Sequence, residues 1–230
     1  PEFDKTLFAA VPAAVMHTAD ETLPPWQRDE ENMDGLLQFL QQRDRQRPFM
    51  SFYFLESTHA SYSFPASSAL HKDYQQEIDY MKLRKEGLAI DAQPLLNRYR
   101  NAGHWIDEQL GRLYAELEQQ GLLDSTIVIV TGDHGEEFME KGAWGHNSTF
   151  VAEQVRVPLV VHIPGQTAAI IDRPTSHLDI ATTLLQQLGL TNAVDDYSLG
   201  RSLLDASHRD HLVLSDWHSI GIVTPTLKYR

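Results

Sequence analysis

The apolar, β-branched run at residues 126–131 stops at Gly132 and is followed at once by Asp133-His134-Gly135-Glu136. Such a run is the pattern of a strand buried on both faces of a sheet. A buried strand that delivers a carboxylate and an imidazole at its C-terminal tip points to an open α/β architecture, where ligands sit in the crevice beyond the strand ends. Asp133 and His134 offer one oxygen and one nitrogen ligand for a divalent cation, a mixture that suits zinc or manganese better than magnesium. Gly135 has no β-carbon, so the backbone can bend sharply there. The bare tetrapeptide reads equally well as a turn, with Asp133 capping the next helix and His134 in solvent. The residues just downstream favour a site. Glu136, Glu137, His146 and Asn147, interrupted by Trp144-Gly145, make a stretch longer and more ionisable than a plain connection.

The rest of the chain alternates in the same sense. A helix fits residues 30–43, where Met33, Leu36, Leu37, Phe39 and Leu40 form an apolar stripe, and residues 49–55 (FMSFYFL) read as a buried strand. A polar loop over 56–65 holds His59, and residues 66–93 read as charged and partly helical. Residues 93–120 carry the clearest helical period, with Leu96, Tyr99, Ala102, Ile106, Leu110, Leu113 and Leu117 on one face and Gly121 as its stop. A strand at 157–163, a helix at 178–188 ended by Gly189, and strands at 212–215 and 220–224 complete the order. This alternation predicts a mostly parallel sheet between helices, a three-layer α/β/α sandwich.

Composition narrows the partners. The chain has 230 residues, enough for one sizeable α/β domain, and a formal net charge of −13, which argues against a nucleic-acid partner. It contains no cysteine, so disulfides, thiolate catalysis and thiolate metal sites are excluded. No apolar run is long enough to span a membrane, and no signal peptide is visible. The start at Pro1 and the end inside an apparent strand at Lys228-Tyr229-Arg230 lead us to expect a piece of a longer protein.

Five ordered segments carry a family resemblance: the TGDHGE and GHNS motifs with VRVPLVVHIPG behind them, RPFMSFYFLESTHASYSFP over 47–65, SHLDIATTLLQQLG over 176–189, SLGRSLL over 198–204, and the closing GIVTPTLKYR. Together they resemble the sulfatase family of the alkaline phosphatase superfamily. Within it the chain looks most like the membrane-anchored extracytoplasmic group, which includes lipoteichoic-acid synthases, phosphoethanolamine transferases and sulfatase-like inner-membrane proteins. The resemblance implies an alkaline-phosphatase-like fold of which 1–230 is the C-terminal portion, with 205–230 beginning a small strand subdomain. It also implies an extracytoplasmic, periplasmic location, a membrane link through upstream helices, and a sulfate- or phosphate-ester substrate that could be lipid-linked.

By the same resemblance Asp133 and His134 match paired ligands of a divalent metal ion (Mn, Zn, Ca or Mg). His59 matches a histidine that contacts the transferred phosphate or sulfate. His146 falls where related enzymes place a further histidine near the anion or a second metal, and as a catalytic residue it could protonate the leaving group. The family's nucleophile and first metal ligand are expected upstream of this chain. Glu136 and Glu137 read as supporting or solvated charges. Asp179 reads as complementing a helix dipole, and His104 and Trp105 as packing or surface residues. Two functions stay open: a metal-dependent hydrolase or transferase of sulfate or phosphate esters, and a sulfatase-fold module that has lost turnover and binds lipid or protein.

Overall fold

The computed structural model describes the chain except residues 1–4, 6–7, 13–15, 82–90, 207–208, 217 and 230. The expected partial helix over 66–93 therefore lies in part outside the described residues; within them, Ala66–Ser68 is a single 3-10 turn. Two compact units divide the chain. The first comprises Pro1–Ile129, Phe138–Trp144 and Val161–Pro164; the second comprises Val130–Glu137, Gly145–Val160 and Gly165–Arg230.

Helices α1 (Pro25–Gln42) and α2 (Gln93–Gln119) frame the first unit. α1 begins five residues earlier than the apolar period indicates, because Pro25 suits the first helical position, where no N–H is needed. Its first turn is tied down by Trp26, which meets Trp105 of α2 edge-on at 5.8 Å while the Trp105 indole donates to the Trp26 carbonyl. α2 ends as expected. Gly121 takes φ +66°, and the N–H groups of Gly121 and Leu122 return to the carbonyls of Glu118 and Leu117, which closes the helix with a Schellman motif.

The buried face of α2 differs from the aliphatic stripe. Only Ala102 and Leu117 of that stripe are fully buried, alongside Leu95, Trp105 and the polar Asn97, Asn101 and Gln109. The amides are inside because they do a strand's work. Asn101 both accepts from the His71 N–H and donates to the His71 carbonyl, and Asn97 donates to the Asp73 carbonyl. Tyr62, Leu95, Ala102 and Phe138 form the core, with Tyr99 packed on it. Ring pairs Tyr62–Tyr99, Tyr62–Phe138 and Tyr99–Phe138 lie 5.4, 5.6 and 5.0 Å apart, each worth about 0.5–1.5 kcal/mol beyond the area it buries.

Residues 49–55 are not a strand, contrary to their apolar pattern. A strand needs a neighbour to accept and donate its backbone hydrogen bonds, and among the described residues no strand pairs with this segment; what anchors it is α1. The Asp29 carboxylate of α1 accepts the Glu56 and Ser57 N–H groups at 2.8 and 2.9 Å, and the Tyr53 hydroxyl donates to the Asp29 carbonyl. Met50 and Phe52 are left exposed.

In both sheets of the central stretch the pairing strands are short. β1 (Val128–Thr131) pairs with β4 (Leu159–His162) and is half-buried rather than buried on both faces, since β4 is its one strand neighbour among the described residues. β2 (Glu137–Phe138) pairs with β3 (Trp144–Gly145), a hairpin where the sequence suggests an interruption. The second unit also holds α3 (Ala152–Val155) and α4 (Leu178–Gln187). Just before α4, Ser176 Oγ accepts the Leu178 N–H, and Asp179 Oδ2 reaches back to accept the Ser176 N–H. Asp179 is fully buried, also accepts the Arg201 N–H and is paired with Arg209, so its role is structural as expected. β5 (Leu212–Ser215), β6 (Ile220–Val223) and β7 (Lys228–Tyr229) form an antiparallel sheet, with Leu212 opposite Val223 and Ile222 opposite Tyr229.

Asp29 provides a test of this packing. Burial pushes its carboxyl above the usual range, against the opposing pull of hydrogen bonds from Ser57 and Glu56. A raised folded pKa means that this group's contribution to stability is present below the ordinary carboxylate pKa of about 4 and is lost as pH rises through the folded value. Asp29→Ala, which strands two N–H groups held away from water, is expected to cost about 2–4 kcal/mol in urea unfolding. The gap between wild type and variant should be widest at acidic pH and should narrow as the pH rises; a gap that widens instead would contradict the assignment.

Candidate metal centre and its histidines

The second unit places Asp133, His134, Glu136 and His146 together beyond the end of β1. Their placement starts from Gly135. A β-carbon at that position would lie 2.1 Å from the Glu153 carbonyl oxygen, so only glycine lets this turn rest on the backbone of α3. The Gly135 N–H donates to the Gln154 carbonyl at 2.8 Å and seats the turn. At its other end, the His177 Nε2–H donates to the Gly132 carbonyl at 2.8 Å.

The turn also sets the tautomer of His134. Its Nδ1 lies 2.9 Å from the Gly135 carbonyl, which can only accept, so Nδ1 carries the proton and Nε2 presents a lone pair. That Nε2 lies 3.6 Å from Asp133 Oδ2. Two ligands held about 2.1 Å from one ion sit roughly 3.4 Å apart at a tetrahedral angle, so this nitrogen–oxygen pair fits a shared divalent cation with little movement. Asp133 is mostly exposed and its other oxygen accepts the His134 N–H at 3.0 Å, the cap-like contact of the turn reading. The two readings are compatible. One oxygen orders the turn and the other faces the imidazole.

His146 stacks on His134, with ring centroids 3.7 Å apart and planes 27° from parallel. Its Nδ1–H donates to Glu136 Oε2 at 2.9 Å. Glu136 is thus not a solvated charge: its side chain is 7% exposed, against 24% for His146. Among the described residues His134, Glu136 and His146 are the set of three whose ligand atoms lie within 4.8 Å of one another, so a cation at His134 would have both as neighbours. Glu137 is fully buried and accepts a hydrogen bond from the Gln154 amide, which also excludes the solvated reading. Gln154 itself carries no sequence signal, sitting in a polar Ala-Glu-Gln-Val stretch.

His59 belongs to the first unit. It is exposed on the loop expected for it, and that loop is firmly held. Beside the Asp29 contacts, the Ser63 N–H donates to the Ser57 carbonyl at 2.8 Å and the Arg98 Nε–H to the Ser61 carbonyl at 2.7 Å. Ser61 and Tyr62 sit at φ 111° and 45°, left-handed conformations that cost about 1–3 kcal/mol each and are sustained here by full burial of the Tyr62 ring. His104 and Trp105 are packing residues as expected, with His104 Nδ1 3.0 Å from the Ser68 carbonyl.

Comparison with known proteins supplies the family and the fold. The sulfatase family model matches residues 2–190, and the chain belongs to the sulfatase family. The inner membrane protein YejM of Salmonella typhimurium is 32% identical over 139 residues, covering 57% of this chain and 22% of YejM. The choline-sulfatase of Rhizobium meliloti is 33% identical over 130 residues, covering 55% of this chain and 25% of that enzyme. A solved structure from Bacteroides thetaiotaomicron, from work on the metabolism of multiple glycosaminoglycans, matches 86% of this chain and 48% of its own at a TM-score of 0.64 and 20% identity. The fold is therefore the α/β fold of the sulfatases, as the motif order implies. The matched stretches span about a fifth to a quarter of the curated relatives.

The His146–Glu136 contact generates a prediction. The hydrogen bond from Glu136 is the main influence raising the His146 pKa, helped by the charges of Glu136 and Asp133 and opposed by burial. In the metal-free chain, NMR titration should find His146 above the ordinary value of about 6.5, and Glu136→Gln should bring it down. A raised folded pKa stabilises below the unfolded pKa and loses that contribution as pH rises through the folded value, so Glu136→Gln should cost more stability at acidic than at alkaline pH. Equal titration in both proteins would dissolve the pairing.

Proposed function

We propose that this chain supplies one half of the active site of a divalent-metal-dependent hydrolase or transferase of sulfate or phosphate esters. Asp133 and His134 hold the cation, and a hydroxyl nucleophile from residues upstream of the chain attacks sulfur or phosphorus in line. The observation that carries the reading is the 3.6 Å pairing of His134 Nε2 with Asp133 Oδ2, with the imidazole tautomer fixed by the Gly135 carbonyl. When bound, the cation would supply Lewis-acid polarisation and lower the pKa of the attacking hydroxyl.

The chain's own residues have separable roles. Asp133 and His134 bind and orient. His146, with Nδ1 engaged by Glu136, has Nε2 left to deliver a proton to the departing oxygen. The Glu136 hydrogen bond raises its pKa above the ordinary value, which favours the protonated ring. His59 is assigned by the motif resemblance alone to contact the oxygens of the transferred group; its own loop is fixed at Ser57, Ser61 and Ser63. Among the described residues no helix is long and apolar enough to cross a membrane. The relationship to YejM, an inner membrane protein, supports a link to the membrane through other parts of the protein; the extracytoplasmic, periplasmic placement and a lipid-linked ester substrate rest on the motif resemblance. A negatively charged chain is a poor partner for nucleic acid, and none is proposed.

Thermal melting with added manganese or zinc tests the cation half of this reading. With cation at about 100 times its Kd the expected gain is about 2.7 kcal/mol, or roughly 5–10 °C, and it should vanish in His134→Ala. In the full-length protein His146→Ala should slow turnover of phosphate or sulfate esters by about 10²–10⁴-fold while leaving the metal response in place. A full-length protein that neither responds to metal nor turns over either ester would leave the binding-module reading instead.

A further inference from the structure

We propose that Gln154 is the positioning residue that sets the spacing between the Asp133-His134 turn and the segment carrying His146. Its side-chain amide is fully engaged. Oε1 accepts the N–H groups of Ser148 and Thr149, both at 3.1 Å, and Nε2 donates to Glu137 Oε2 and to Ser148 Oγ, both at 2.8 Å. A carboxamide has two donors and two acceptor sites, so none is spare, and the two backbone N–H groups facing Oε1 fix which way round the amide lies. The main chain of the same residue accepts the Gly135 N–H at 2.8 Å.

One residue therefore grips both sides of the centre. Its carbonyl holds the turn that presents His134. Its amide holds the segment immediately after His146, where Asn147 turns through φ 60°. Gln154 is 3% exposed and Glu137 0%, so this network is shielded from water and has little freedom to shift. The ring-on-ring spacing of His134 and His146 is what such a clamp would regulate. No shorter or purely accepting side chain does the same. Glu at 154 keeps the reach but loses both donors and sets a second carboxylate against Glu137, and Asn is one methylene too short.

The metal arm of the test rests on the reading of Asp133 and His134 as cation ligands; the imidazole arm does not. In the metal-free chain, ¹H–¹⁵N NMR should detect the His146 Nδ1–H bonded to Glu136, and Gln154→Glu should shift or abolish that signal. Manganese affinity of the same variant should fall about 10–100-fold, the usual consequence of removing a support behind metal ligands. Glu137→Gln added to Gln154→Glu restores a donor–acceptor pair with its direction reversed, and should recover the signal and most of the affinity. General loss of packing would not be repaired by that exchange. An unmoved imidazole signal in Gln154→Glu, or a double variant no better than the single one, overturns the proposal. Should the single variant fail to fold, the double variant is compared directly with wild type, and its failure to recover the fold and the signal is equally fatal. If wild type binds no manganese, the cation reading passes to the test on the full-length protein and the imidazole signal alone decides the role of Gln154.

Discussion

The centre depends on a close approach of two backbones at Gly135. Any side chain there would collide with the Glu153 carbonyl, so the chain after β1 can lie against α3 only because this residue has none. Three contacts then immobilise the turn. Gly132 gives its carbonyl to His177, Gly135 gives its N–H to Gln154, and the Gly135 carbonyl holds His134 Nδ1. The nitrogen that faces Asp133 is consequently oriented before any ligand arrives. On the proposed function, such preorganisation would separate a usable ligand set from an acid and a histidine that merely adjoin in sequence.

Charge around the turn gives the site a direction. Asp133, Glu136 and Glu137 are gathered within five residues, and the chain as a whole carries a net −13. Each buried carboxylate has its own satisfaction: Asp29 from two backbone N–H groups, Glu136 from His146, Glu137 from Gln154, and Asp179 from Arg209 and the Ser176 N–H. Asp133 alone of these acids is largely exposed, with one oxygen turned toward His134. A local excess of negative charge attracts a divalent cation and repels an anionic ester. On the proposed function, cation binding therefore comes before substrate binding, because the ester meets a neutralised surface only afterwards.

How much the sequence discloses depends on how local each signal is. The helix at Gln93–Gln119 and the stops at Gly121 and Gly189 are legible because period and cap chemistry are written within a few neighbouring residues. Asp133 and His134 can be singled out as a candidate pair for the same reason, being adjacent. The FMSFYFL segment shows the opposite case. Its apolar run says buried strand, yet a strand exists only if another chain segment supplies hydrogen bonds, and among the described residues none pairs with it. The buried face of α2 misleads in the same way: Asn97 and Asn101 look solvent-facing by hydropathy, but they serve the backbone at His71 and Asp73.

A common logic joins two residues that the sequence does not single out, Asp29 and Gln154. Histidines at 59 and 146 both ride on irregular segments, and each segment is fixed by one buried polar side chain borrowed from a helix, Asp29 in α1 and Gln154 in α3. A buried polar group with every bond made adds little net stability, whereas its removal leaves several partners unsatisfied at about 1–3 kcal/mol each. Neither Asp29, among the charges of a helix start, nor Gln154, in a four-residue helix, stands out from the polar residues around it. Their meaning lies wholly in partners that are distant or irregular in sequence. Residues that hold loops bearing reactive groups are for that reason the part of a site most easily lost when only motifs are read.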